Sequence, residues 1–85
     1  MALLNKHFGQ LLRETRQSAK LTQEDLAYAS GLHRTYISLL ERGLRNPTLE
    51  SLFALCLALK ENPGDFVMRL YRNIEVQSNN KMEER

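Results

Sequence analysis

Between Leu21 and Gly43 the chain has room for two short helices and little else. Thr22 suits the start of the first, because its hydroxyl can accept from a free backbone N–H of the opening turn. Asp25, three residues on, is a shortened form of the capping-box acid. Leu21 and Leu26 stand at the two positions of a hydrophobic staple. Gln23, Glu24 and Asp25 fill the first turn, where negative charge is favoured. The helix is predicted to run to Ser30, with Gly31 as the left-handed residue that ends it. The second is predicted from about His33 to Arg42, with Ile37 and Leu40 facing inward and Gly43 at its end. Leu26, Leu32, Ile37 and Leu40 fall where such a pair must interlock, and Ala27 is small where the two come closest.

The remaining sequence reads as helix as well. Leu4, Phe8, Leu11, Leu12 and Thr15 recur at three- and four-residue steps, predicting a helix over about Asn5 to Ala19 that Ser18-Ala19-Lys20 ends. Asn46-Pro47-Thr48 reads as a turn and then a cap for a helix over Leu49 to Leu59. That helix is apolar almost all round, so it is either central or set against a second chain. Asn62 caps a fifth helix, with Pro63 at its favoured first position. Phe66, Val67, Leu70 and Ile74 form its stripe, and residues 77–85 are expected to be a polar, disordered tail. No run alternates as a strand does.

At 85 residues the chain holds one domain with a limited core. It has one cysteine, Cys56, so no internal disulfide can form, and it lacks the spaced Cys/His pairs of a zinc site. Oligomerisation is the remaining aid to stability. Leu52 to Leu59, the longest strongly apolar stretch, falls far short of the roughly 20 residues that cross a bilayer. No leader segment is evident. The expectation is a soluble intracellular protein with no cofactor, no metal, no membrane contact and no evident small-molecule ligand. Net charge is +2, unevenly spread: residues 1–45 carry +3 and residues 46–85 carry −1. A basic half suits a polyanion partner.

Two helices joined by a tight turn containing glycine make a helix-turn-helix, whose second helix enters the DNA major groove. The run Thr22-Gln23-Glu24-Asp25-Leu26-Ala27, then Gly31-Leu32, Tyr36-Ile37-Ser38, Glu41-Arg42-Gly43 and Arg45-Asn46-Pro47-Thr48 resembles the phage repressor/Cro-type (XRE) helix-turn-helix regulators. The resemblance extends over about residues 5–71. Arg34-Thr35-Tyr36-Ile37-Ser38 with Arg45-Asn46 also resembles restriction–modification controller proteins, although those often carry an acid where this chain has His33. The implied fold is all-α, a compact five-helix lambda-repressor-like DNA-binding domain over residues 1–76 that includes a C-terminal dimerisation helix. The implied setting is the cytoplasm of a bacterium, or of a phage-infected one.

The resemblance implies particular roles. Arg34, Thr35, Tyr36 and Ser38 would face the bases, which suits an arginine on guanine and a threonine methyl or tyrosine ring on thymine. Thr22, Gln23, Arg45 and Asn46 would meet phosphates, the first two at a helix N-terminus that favours anions. His33 reads either as an ordinary loop residue or as a phosphate contact. Glu41 would pair with Arg16, tying the first helix to the third. Phe53, Leu57, Phe66, Val67 and Leu70 either close the monomer core or face a second copy, and a chain this small favours the homodimer. The competing function is an antitoxin-like or coactivator-like protein-interaction module on the same fold. An enzyme is disfavoured, because the chain shows no Gly-rich phosphate loop and no nucleophile–base pair.

Overall fold

The computed structural model describes the backbone of residues 2–83 and the side chains of residues 3–76. Five helices follow one another: α1 (Ala2–Ser18), α2 (Gln23–Ser30), α3 (Arg34–Glu41), α4 (Leu49–Ala58) and α5 (Pro63–Glu83), with no strand among the described residues. The tail expected over residues 77–85 lies outside the described side chains. α1 begins earlier than its stripe predicted. Ala2, Leu3 and Leu4 are good helix formers, and Leu4 packs against the core, so nothing halts the helix at Asn5.

The helix ends follow local chemistry. α2 opens on a full capping box: the Asp25 N–H donates to Thr22 Oγ1 at 3.0 Å, and the Thr22 N–H donates to Asp25 Oδ2 at 2.9 Å. α4 repeats the device with Ser51 in the acid's place, its Oγ accepting from the Thr48 N–H at 2.9 Å. At the start of α5, Asn62 Oδ1 accepts from the N–H groups of Gly64 and Asp65, at 2.8 and 3.1 Å. α1, α3 and α4 end in one pattern, in which the last carbonyls accept from a left-handed residue and from its successor. At α3 that residue is Gly43, with φ 74°. At α1 and α4 it is a lysine, Lys20 (φ 61°) and Lys60 (φ 59°), a conformation disfavoured for any residue with a Cβ.

All five helices contribute to one core. Phe8, Leu11 and Leu12 meet Leu26, Ile37, Leu40, Leu55, Cys56, Leu59, Phe66 and Leu70. The rings of Phe8 and Phe66 stand edge to face, 5.9 Å apart and inclined at 72°. α1 approaches α3 so closely at Gly9 that a Cβ there would lie 2.6 Å from the Glu41 carbonyl oxygen and closer still to that of Leu40. Gly9 therefore sets the distance between α1 and the helix that carries the candidate site.

Candidate nucleic-acid interface

The site rests on a polar lock beneath α3. Arg16, from α1, donates Nε to Glu41 Oε2 at 2.6 Å and Nη2 to Glu41 Oε1 at 3.0 Å. Its Nη1 donates to the Leu21 carbonyl at 2.8 Å, which closes the α1–α2 turn. Both residues are buried. The hydrogen bond to Glu41, reinforced by its negative charge, raises the Arg16 pKa above its ordinary value against the opposing effect of burial. Glu41 takes a third donor, Gln23 Nε2, at 3.1 Å. One carboxylate thus joins α1, α2 and α3, and Arg16 neutralises its charge. The ion pair expected between Arg16 and Glu41 is present, and the bond from Gln23 is an addition that residue spacing did not signal.

On this frame α3 presents its first turn outward. His33, its N-cap, makes no side-chain cap bond, and His33, Arg34 and Thr35 are exposed. Arg34 shares a depression of about 460 Å³ with Thr22, Gln23 and Glu24 at the start of α2. The Thr22 hydroxyl is engaged by its own cap, and the two Thr22 donors hold the Asp25 carboxyl below its usual pKa. Ser38 is half-buried one turn further along α3.

Tyr36 is placed differently from its neighbours. It is half-buried, its hydroxyl donates to the Asn46 carbonyl at 3.2 Å, and Ser51 Oγ lies 3.2 Å away. The Arg45 guanidinium sits over its ring, 5.7 Å from the centroid. Tyr36 thus ties the α3–α4 loop to α3 and to the cap of α4. Of the residues expected to touch nucleic acid, Thr22, Gln23 and Arg34 gather at the start of α2, Tyr36, Arg45 and Asn46 gather at the loop, and His33, Thr35 and Ser38 belong to neither group. Ser51 was missed as a partner. Its only sequence signal is its place three residues after Thr48.

The residues expected at a dimer face divide. Phe66 is a correction: it is 1% exposed and packed on Phe8, so it belongs to the monomer core. Leu70 is buried at the floor of an apolar cleft of about 320 Å³ that Leu4, Leu52 and Val67 also line. Phe53, Leu57 and Val67 are exposed, as are Leu49, Met68 and Tyr71. No helix among the described residues is long and apolar enough to cross a membrane, and the described residues contain no cluster of three metal-ligating side chains.

The helix-turn-helix family model, HTH_3, matches residues 12–66. The chain belongs to this family. Over 61 residues it is 44% identical to the control protein C.BamHI of Bacillus amyloliquefaciens, an alignment covering 71% of this chain and 75% of that one. Over 58 residues it is 52% identical to the control protein C.SmaI of Serratia marcescens, covering 68% and 69%. Among solved structures, the restriction–modification controller protein C.Esp1396I, a tetramer in complex with its natural 35-base-pair operator, is similar with a TM-score of 0.77 at 38% identity, covering 84% of this chain and 93% of that one. This likeness places the described residues, with their five helices and no strand, among the all-α controller proteins.

Proposed function

We propose that this protein is a sequence-specific, double-stranded-DNA-binding transcriptional regulator that acts as a homodimer on a near-palindromic site. The observation that carries the reading is the exposed first turn of α3, with Arg34 and Thr35 standing free on a helix locked to α1 and α2 through Glu41. An arginine there reads guanine, a threonine suits a thymine methyl, and Gln23 and Arg45 flank them for the phosphates. Two copies related by a two-fold axis would set their α3 helices about 34 Å apart, one turn of the duplex. Kinship with control proteins, one of them solved on its operator, supports a restriction–modification operon as the regulated unit and autoregulation as the mode. The cytoplasm is the matching location.

The test is a titration onto the duplex immediately upstream of the protein's own gene, at about 150 mM salt with excess non-specific competitor. Competitor-resistant binding with two protomers per half-site pair is expected. Arg34→Ala should weaken operator binding by about 1–3 kcal/mol and relax the base preference at one position per half-site. Unchanged operator binding by Arg34→Ala would remove the base-reading role. Loss of all competitor-resistant binding by the unaltered protein would favour the protein-interaction reading instead.

A further inference from the structure

Glu41 does more than pair with Arg16. Its carboxylate accepts from Arg16 Nε and Nη2 and from Gln23 Nε2. A carboxylate ionised in this pair can only accept, so the Gln23 amide has one orientation that satisfies it, with Nε2 turned to Glu41. An amide nitrogen carries two hydrogens. One is spent on Glu41, and the other has no partner among the described residues. Gln23 is the first residue of α2 and lies only partly buried, on the rim of the depression it shares with Thr22 and Arg34. A phosphate oxygen also only accepts. Left free, the amide would offer its carbonyl as readily as its N–H, and a carbonyl repels phosphate.

We propose that Glu41 is a positioning residue for DNA-backbone binding: it fixes the Gln23 amide so that the second Nε2 hydrogen is kept for a backbone phosphate. This rests on the DNA-binding reading above. It explains how an acid is tolerated beside a polyanion. Arg16 cancels its charge, and what reaches the surface is a donor oriented by it. It also makes the buried pair part of the binding apparatus, with Gln23 as the side chain that carries its effect to the phosphate.

The experiment is a thermodynamic cycle on the full-length protein, with binding measured to the upstream duplex and to a scrambled duplex of equal length. Gln23→Ala removes the donor. Arg16→Met with Glu41→Met removes the acceptor while replacing the buried pair by apolar side chains, an exchange that folded proteins tolerate. Each change is expected to weaken binding to both duplexes about five- to tenfold, because a phosphate contact carries no sequence information. The slope of affinity against salt should not move, because a neutral amide displaces no counterion. All three changes together should weaken binding no more than Gln23→Ala alone. Additive losses, or a double-methionine variant that binds as the unaltered protein does, would overturn the proposal. If the double variant does not fold, NMR of the unaltered protein decides. One Gln23 Nε2 proton should be protected in the free protein, and the other should shift when the scrambled duplex is added. Equal exposure of both protons would sink it. Failure of the unaltered protein to bind either duplex would retire the DNA-binding reading itself, an outcome distinct from additivity.

Discussion

The two halves of this molecule are held by different physics. α1, α2 and α3 meet around directional bonds, with Arg16, Glu41, Gln23 and the Leu21 carbonyl in one network beneath apolar side chains. α4 and α5 meet through non-directional apolar contact, with the exposed Arg69–Glu61 pair at their joint, and they leave apolar surface uncovered: Leu49 and Leu57 are 72% and 70% exposed. The first half has a unique geometry because few arrangements satisfy three donors on one carboxylate. The second half has surplus surface, which a second copy would cover. A reader of DNA needs the first property where it meets the duplex, and a dimer needs the second where its copies meet.

The sharpest way to break this contrast is Arg16→Ala. It leaves the Glu41 carboxylate buried without its cation, which costs about 3–5 kcal/mol. Urea unfolding should show the loss in full. A loss under about 1 kcal/mol would mean that the polar lock is a surface pair of ordinary weakness. Second in size is Leu57→Glu, which acts on the other half. Leu57 is exposed, so the monomer should fold unchanged, whereas a charge at the proposed dimer face should cost about 2 kcal/mol per copy. Both copies carry the change, so dimerisation should weaken roughly a thousandfold. Sedimentation equilibrium reads this directly. An unaltered association constant would move the dimer face off the outer side of α4.

The same contrast explains what could be read in the sequence. The helix-turn-helix was legible because its determinants are local. The Thr22–Asp25 cap, Gly31 and Gly43 each act within a turn of their own position, and Leu26, Ile37 and Leu40 lie on two helices consecutive in the chain. Features set by distant partners were not legible. Gly9 looked like any small helical residue, and only the approach of the α3 carbonyls shows why it is needed. Phe66 and Val67 share a stripe by periodicity, yet a turn of 100° separates neighbours on a helix, and the Phe8 ring takes one and not the other. Lys60 gave no hint of a left-handed stop, because lysine is not the residue such a position prefers. Tyr36 carried a plausible base-reading chemistry, while its bonds to Asn46 and Ser51 depend on where a loop returns.

The smallest effect tests the boundary between dry and open surface within α4 itself. Cys56 and Leu57 are adjacent, yet one is 1% exposed and the other 70%. Burial, helped by the negative charge of Glu61, pushes the Cys56 thiol from its ordinary 9.0 up to about 11. A thiol is neutral while it keeps its proton. Above pH 9 the unfolded chain releases that proton and the folded chain does not. The contribution is therefore complete below pH 9 and is lost as pH rises toward 11. Its upper bound is roughly 2–3 kcal/mol. Other groups titrate in the same window, so the quantity to measure is the difference between the unaltered protein and Cys56→Ala, by urea unfolding at pH 7, 9 and 10.5. The variant should be less stable at pH 7 because of the small cavity it creates, and the gap should narrow as pH rises. A gap that stays constant from pH 7 to 10.5 would mean that water reaches Cys56 and that the inner face of α4 is not sealed. The outward face of Leu57 would then no longer be the open side of a dry helix, and the division between the halves would have to be drawn elsewhere.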